Sequence, residues 1–112
     1  MATLTRQTPG EDGGLTFGAA ASGGDVFAND GETYFAVTNG GGSSVTVTIT
    51  AQNTSTTKTG FGTVTKANGG AAVAAGDTDV FGPFPTGAFN NSSGQVAVTY
   101  SGVTSVTVAA FK

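Results

Sequence analysis

The chain predicts an all-β domain, a β-sandwich of jelly-roll or Greek-key type with about eight short strands and no significant helix. Three observations carry that expectation. Apolar and polar residues alternate in short runs, most cleanly in Val45-Thr46-Val47-Thr48-Ile49-Thr50, where aliphatics fall on one face and threonines on the other. Glycine-rich turns such as Ser22-Gly23-Gly24, Asn39-Gly40-Gly41-Gly42 and Asn68-Gly69-Gly70 interrupt the alternation at short intervals. Only 10% of the 112 residues are charged, against about a quarter in a typical domain, yet β-branched and aromatic residues stay plentiful. Such a surface is wetted by Thr, Ser, Asn and Gly rather than left disordered.

Taken in order, residues 1–14 have no periodicity and carry Pro9-Gly10-Glu11-Asp12-Gly13-Gly14, which predicts a flexible N-terminal arm before a single domain over 15–112. Such an arm either frays or orders on a neighbouring subunit, and Leu4 and Arg6 are its candidate contact residues. Leu15, Phe17 and Ala19 alternate as a short strand, and Asp25-Val26-Phe27-Ala28 reads as a second, closed by the turn Asn29-Asp30-Gly31. Thr33 to Thr38 forms a third, with Phe35 and Val37 on one face. In the strand Ser43–Thr50, burying Val45, Val47 and Ile49 is worth roughly 1.5–3 kcal/mol apiece before entropy costs. Asn53 to Gly60 reads as a loop, Phe61 to Thr65 as a weaker strand, Asn68-Gly69-Gly70 as a turn and Ala71–Ala75 as extended.

Asp77-Thr78-Asp79-Val80-Phe81-Gly82-Pro83-Phe84-Pro85 is the most irregular stretch. Proline donates no ladder hydrogen bond, so a strand over Thr78–Phe81 must bend at Gly82-Pro83 and leave its sheet. Asn90 to Gly94 is a loop. Gln95–Ser101 then turns Val96, Val98 and Tyr100 inward, and Thr104–Phe111 alternates Val106, Val108 and Ala110. Gly24-Asp25-Val26-Phe27 is echoed by Asp79-Val80-Phe81, each after an Ala-rich, Gly-terminated run and each before an aromatic strand and a Val/Thr strand. Duplication and low complexity both account for that echo.

The formal net charge is −3, and the four basic residues Arg6, Lys58, Lys66 and Lys112 are scattered, so no nucleic-acid partner is expected. No apolar run reaches the roughly 18–20 residues of a membrane span, and the N-terminus has no signal-peptide core, which predicts a soluble chain made in a cytoplasm. Cysteine and histidine are absent, which removes the usual nucleophiles, bases and soft metal ligands. The acidic groups Asp25/Asp30/Glu32 and Asp77/Asp79 invite a calcium or acid–base reading, but their spacing matches no oxygen-ligand loop, and the Gly-rich segments lack the Lys-Ser/Thr of a phosphate loop. They are read as turn and edge residues; no enzyme, metal or cofactor is expected. Phe17, Phe27, Phe35 and Phe81 fall in strand patterns and are expected in the core. Phe84 and Phe89 flank Pro85 in a loop, where a core anchor and a protein-contact patch are both open.

Three segments carry a resemblance: Asp25–Thr33, Val37–Ile49 with its Asn39-Gly40-Gly41, and Gly82-Pro83-Phe84-Pro85 followed by Phe89-Asn90 and Gly94–Ser101. Together they resemble small β-rich virion proteins of tailed bacteriophages, some of which are capsid decoration, or cement, proteins. The resemblance covers most of Phe17–Phe111. It implies a structural protein on the capsid exterior that bridges major capsid protein subunits, commonly as a homotrimer, with no catalytic residues. Phe84, Pro85, Phe89, Leu4 and Arg6 are read as the candidate protein interface. Alternatives are a head–tail connector or tail component, and a carbohydrate-binding sandwich using Tyr34, Tyr100 and the loop phenylalanines.

Overall fold

The computed structural model describes residues 2–10, 13–52, 55–58, 60 and 62–112. Its elements are β1 (Ala2–Leu4), β2 (Arg6–Gln7), β3 (Gly18–Ala19), β4 (Asp25–Ala28), β5 (Tyr34–Asn39), β6 (Val45–Ile49), β7 (Ser55–Lys58), β8 (Gly62–Thr65), β9 (Gly69–Val73), β10 (Thr78–Phe81), the single helical turn α1 (Thr86–Phe89), β11 (Gln95–Tyr100) and β12 (Val106–Phe111). One sheet runs β1-β4-β11-β6-β9; the other runs β10-β5-β12-β2, with β3 also on β12; β7 and β8 form a separate hairpin. Setting β1, β2 and the hairpin aside leaves β4-β11-β6-β9 facing β10-β5-β12-β3, the paired Greek-key order of a jelly roll.

The pairing pattern maps onto itself. β4, β5 and β6 correspond to β10, β11 and β12, and each set is split between the sheets. Val26 opposite Ala97 is matched by Val80 opposite Ala36, and Asp25 opposite Val98 by Asp79 opposite Val37. Thr99 opposite Thr48 is matched by Thr38 opposite Thr107, and Tyr100 opposite Val47 by Asn39 opposite Val106. The echo in the sequence thus marks residues in equivalent register, a match that low complexity alone does not require.

The core lies between the two sheets. Phe27 and Phe35 stack at 5.2 Å with planes 6° apart, surrounded by fully buried Val37, Val47, Ile49, Val73, Val96, Val98, Val106 and Val108. Alternation puts these residues inward because neighbours two apart share a face of the pleat.

Five expectations change. The expected arm is not free over Ala2–Gln7: β1 pairs in parallel with β4 and β2 in parallel with β12, because both strands offer open edges there. Of the strand expected at Leu15–Ala19, only Gly18 and Ala19 pair, since the Gln7 side chain takes both backbone groups of Thr16 at 2.6 and 2.8 Å. The loop expected over Asn53–Gly60 contains β7, which pairs Ser55 with Thr65 and Lys58 with Gly62; Asn53 and Phe61 lie outside the described residues. Gly69 and Gly70 belong to β9, not to a turn; Gly70 has φ +105° and an added Cβ would lie within 2.1 Å of the Val47 carbonyl, so β9 hugs β6 only with glycine there. Of the phenylalanines expected in the core, Phe81 is half-buried against its margin and Phe17 is half-buried outside the core cluster.

Candidate functional site

The corner after β10 is built by local constraints. Gly82 takes φ +118°, where an added Cβ would approach the Thr33 carbonyl to 2.9 Å, and the Gly82–Pro83 peptide is cis. The chain then leaves the sheet and makes α1, with the Phe89 N–H on the Pro85 carbonyl at 3.1 Å and the Asn90 N–H on Thr86 at 3.0 Å. Two asparagines lock this corner to the turn after β4. Asn29 donates through Nδ2 to the Phe84 carbonyl (2.9 Å) and to Asn90 Oδ1 (2.8 Å), and Asn90 Nδ2 donates back to the Asn29 carbonyl (2.9 Å). Asn29 was legible only as a turn residue, the role in which its Oδ1 accepts from the Gly31 N–H at 3.0 Å; the partners of its Nδ2 lie more than fifty positions away.

This corner decides the two readings of the loop phenylalanines. Phe84 is tilted against Phe27 at 5.8 Å and meets Phe89 edge-on at 5.6 Å, and both rings are buried. They plug the end of the sandwich, so neither presents a contact patch on the isolated chain, while Pro85 between them is exposed. Lys66 lies over the Phe89 ring, its Nζ 4.9 Å from the centroid.

The other two candidates are placed by the N-terminal strands. Leu4 is half-buried against the core. It borders an open notch of ≈ 270 Å³ with Thr5, Phe17, Val108 and Ala109, where the chain crosses from β1 on one sheet to β2 on the other. Arg6 joins a charged cluster: its Nη1 lies 3.4 Å from Asp30, and Lys112 Nζ lies 2.6 Å from Asp30 and 3.2 Å from Glu32. The hydrogen bond from Lys112, then that from the Glu32 N–H, hold the Asp30 carboxyl down at about 2. Leu4 and Arg6 are therefore held within one chain, Arg6 by Asp30 and by Thr33 Oγ1 (3.4 Å), in the same turn that Asn29 ties to the Phe84 corner.

The acidic residues grouped in the sequence are separated by the fold. Asp25 is fully buried and accepts a 2.6 Å hydrogen bond from the Tyr100 hydroxyl and a 3.3 Å bond from the Ala21 N–H; its Oδ1 accepts none from the described residues. Burial, then the Asp25 hydrogen bond, push the Tyr100 hydroxyl well above its ordinary value. Asp30 and Glu32 face the cations just described, and Asp77 and Asp79 lie exposed at the β10 edge. Of the aromatics open to a sugar, Tyr100 is bound to Asp25 and the loop phenylalanines are interior, leaving Tyr34, which stacks on Phe111 at 5.6 Å.

What remains outward is nearly free of charge. Alternation along the strands turns Thr46, Thr48, Ala97 and Thr99 out on one sheet and Thr38, Ala36, Thr107 and Ala109 out on the other. Ala36 and Ala109 are buried by their neighbours yet lie outside the core cluster, as outer-face residues between strands do. No family model, curated protein or solved structure matches the chain.

Proposed function

We propose that the chain is a non-enzymatic virion protein of a tailed bacteriophage, a decoration protein that binds the capsid exterior and bridges neighbouring major capsid subunits. The observation that supports this reading is the pair of broad sheet faces carrying Thr, Ala and Val in place of charge. A protein that must sit at many equivalent sites on a closed shell needs extended, low-desolvation contact surface rather than a cleft, and neutral hydroxyl and methyl faces are cheap to dehydrate. The segments that resemble phage virion proteins include the Asn39-Gly40-Gly41 turn and the Gly82–Pro85 corner, and both are integral parts of the fold. A trimer belongs to the same proposal.

The test is addition of the purified protein to expanded capsids that lack it. Saturable binding at a fixed ratio to the shell subunit is expected, together with a solution mass above one chain by light scattering. Failure to bind any such shell would overturn the proposal, and a virion map placing copies only at the neck or tail would move the protein to a connector or tail role.

A further inference from the structure

β10 leaves one edge of its sheet unpaired among the described residues. The Asn39 N–H bonds the Asp77 carbonyl at 2.9 Å and Thr78 stands opposite Thr38, so antiparallel alternation turns the backbone groups of Asp79 and Phe81 toward β5. Those of Thr78 and Val80 point away from the sheet. Val80 itself is 57% exposed, the one exposed large apolar side chain among the described residues.

The other half of the jelly roll shows what such an edge accepts. β4 carries the same Asp-Val-Phe triplet in the equivalent register, and its outer edge is covered by β1, with Ala2, Thr3 and Leu4 beside Asp25, Val26 and Phe27. The Ala2 N–H bonds the Gly24 carbonyl at 3.1 Å, which places the outward-bonding positions of β4 at Gly24 and Val26. Thr78 and Val80 are their counterparts on β10. A segment laid on β10 as β1 lies on β4 would match backbone groups at each position, set a β-branched residue beside Val80 and an aliphatic one beside half-buried Phe81.

We infer that the open edge of β10 is a docking site for an extended, uncharged segment of a partner polypeptide, running parallel to β10 with the small, β-branched, aliphatic order of Ala2-Thr3-Leu4. The partner is an arm of the shell subunit beneath the domain; only that source rests on the proposed function. A second copy is a poorer occupant on two counts. Its β1 is already bonded to its own β4, so exchange adds no strand pair. Its β10, laid antiparallel on this one, would crowd Asp77 and Asp79 of both chains along one seam. Strand addition of this kind draws affinity from main-chain hydrogen bonds and selectivity from alternate side chains.

The experiment titrates the ¹⁵N-labelled full chain with the acetylated, amidated, uncharged peptide Ala-Thr-Leu-Thr-Gln-Gln, since the β4 edge is already occupied within the chain. Amide shifts confined to Thr78–Gly82 and the facing residues of β5 are expected. They should vanish with a scrambled peptide, with a peptide N-methylated at its leucine, and in Val80→Pro, whose missing N–H points to solvent in the free chain. No shift at millimolar peptide, shifts at Asp25–Ala28 instead, or unchanged shifts with the N-methylated peptide would overturn the inference. On shells, loss of binding in Val80→Pro with its melting temperature retained supports the shell arm as occupant, and unchanged binding overturns it. A wild-type chain that takes the peptide but binds no shell would sink the proposed function and leave the docking edge standing.

Discussion

Phe84 lies between Phe27 and Phe89 with its backbone carbonyl held by Asn29, so both its ring and its main chain are tied into the interior. Truncation to alanine leaves a void between the Phe27 and Phe89 rings. Phe84→Ala is expected to cost about 3–5 kcal/mol in urea unfolding, and an unchanged midpoint would contradict the packed position. Gly82→Ala forces a side chain into a positive-φ site facing the Thr33 carbonyl and should cost about 1–3 kcal/mol by the same measurement. Asp30 gives a pH signature instead. Its folded-state value of about 2 lies below its ordinary 3.8, so its contribution is complete above about pH 4 and is lost as the pH falls through 2. In Asp30→Asn the stability lost between pH 4 and 2 should be smaller than in the parent chain. The effect should fade in high salt because the group is solvent-exposed.

Among the elements, β6, β11 and β12 were legible because Val or Ile alternates with Thr or Ala, which puts the aliphatics on one face, while β4, β5 and β10 were legible as aromatic and β-branched runs between turns. β7 lacked it: a run of Ser, Thr and Lys has no apolar face to reveal, and its strand character comes from pairing with β8. β1 and β2 were read as part of an arm because their three and two residues carry no period; they are strands only because β4 and β12 present open edges. Deleting residues 1–7 should therefore leave the jelly roll folded but raise hydrogen exchange at the outward amides of β4, Val26 first, and lower the melting temperature. Exchange rates at Val26 equal to those of the full chain would show that β1 does not cover that edge.

In the whole molecule the two related halves do not form two lobes. Each contributes strands to both sheets, so β5 is flanked by β10 and β12 and β11 by β4 and β6. Neither half can complete a sheet alone, and most strands pair with partners distant in the chain, a topology that folds as one unit. Chains cut at the β7–β8 hairpin, 1–60 and 61–112, are expected to be unfolded apart by far-UV circular dichroism and to regain the parent spectrum when mixed. A fragment that folds by itself would contradict the interleaved order.

The amino-acid sequence by itself determined the fold class, the main strands and the inward-facing aliphatics, because a period of two and glycine turns are local properties of the chain. It also exposed the Asp-Val-Phe echo without showing that the echo was in register. Tertiary structure decided the rest, because each outcome depends on what a residue meets from far along the chain. Phe84 and Phe89 turn inward because the Gly82–Pro83 corner is pinned to Asn29, Asp25 separates from Asp30 because their side chains meet Tyr100 and Lys112, and β10 keeps an open edge among the described residues because β1 lies on β4 and β2 on β12.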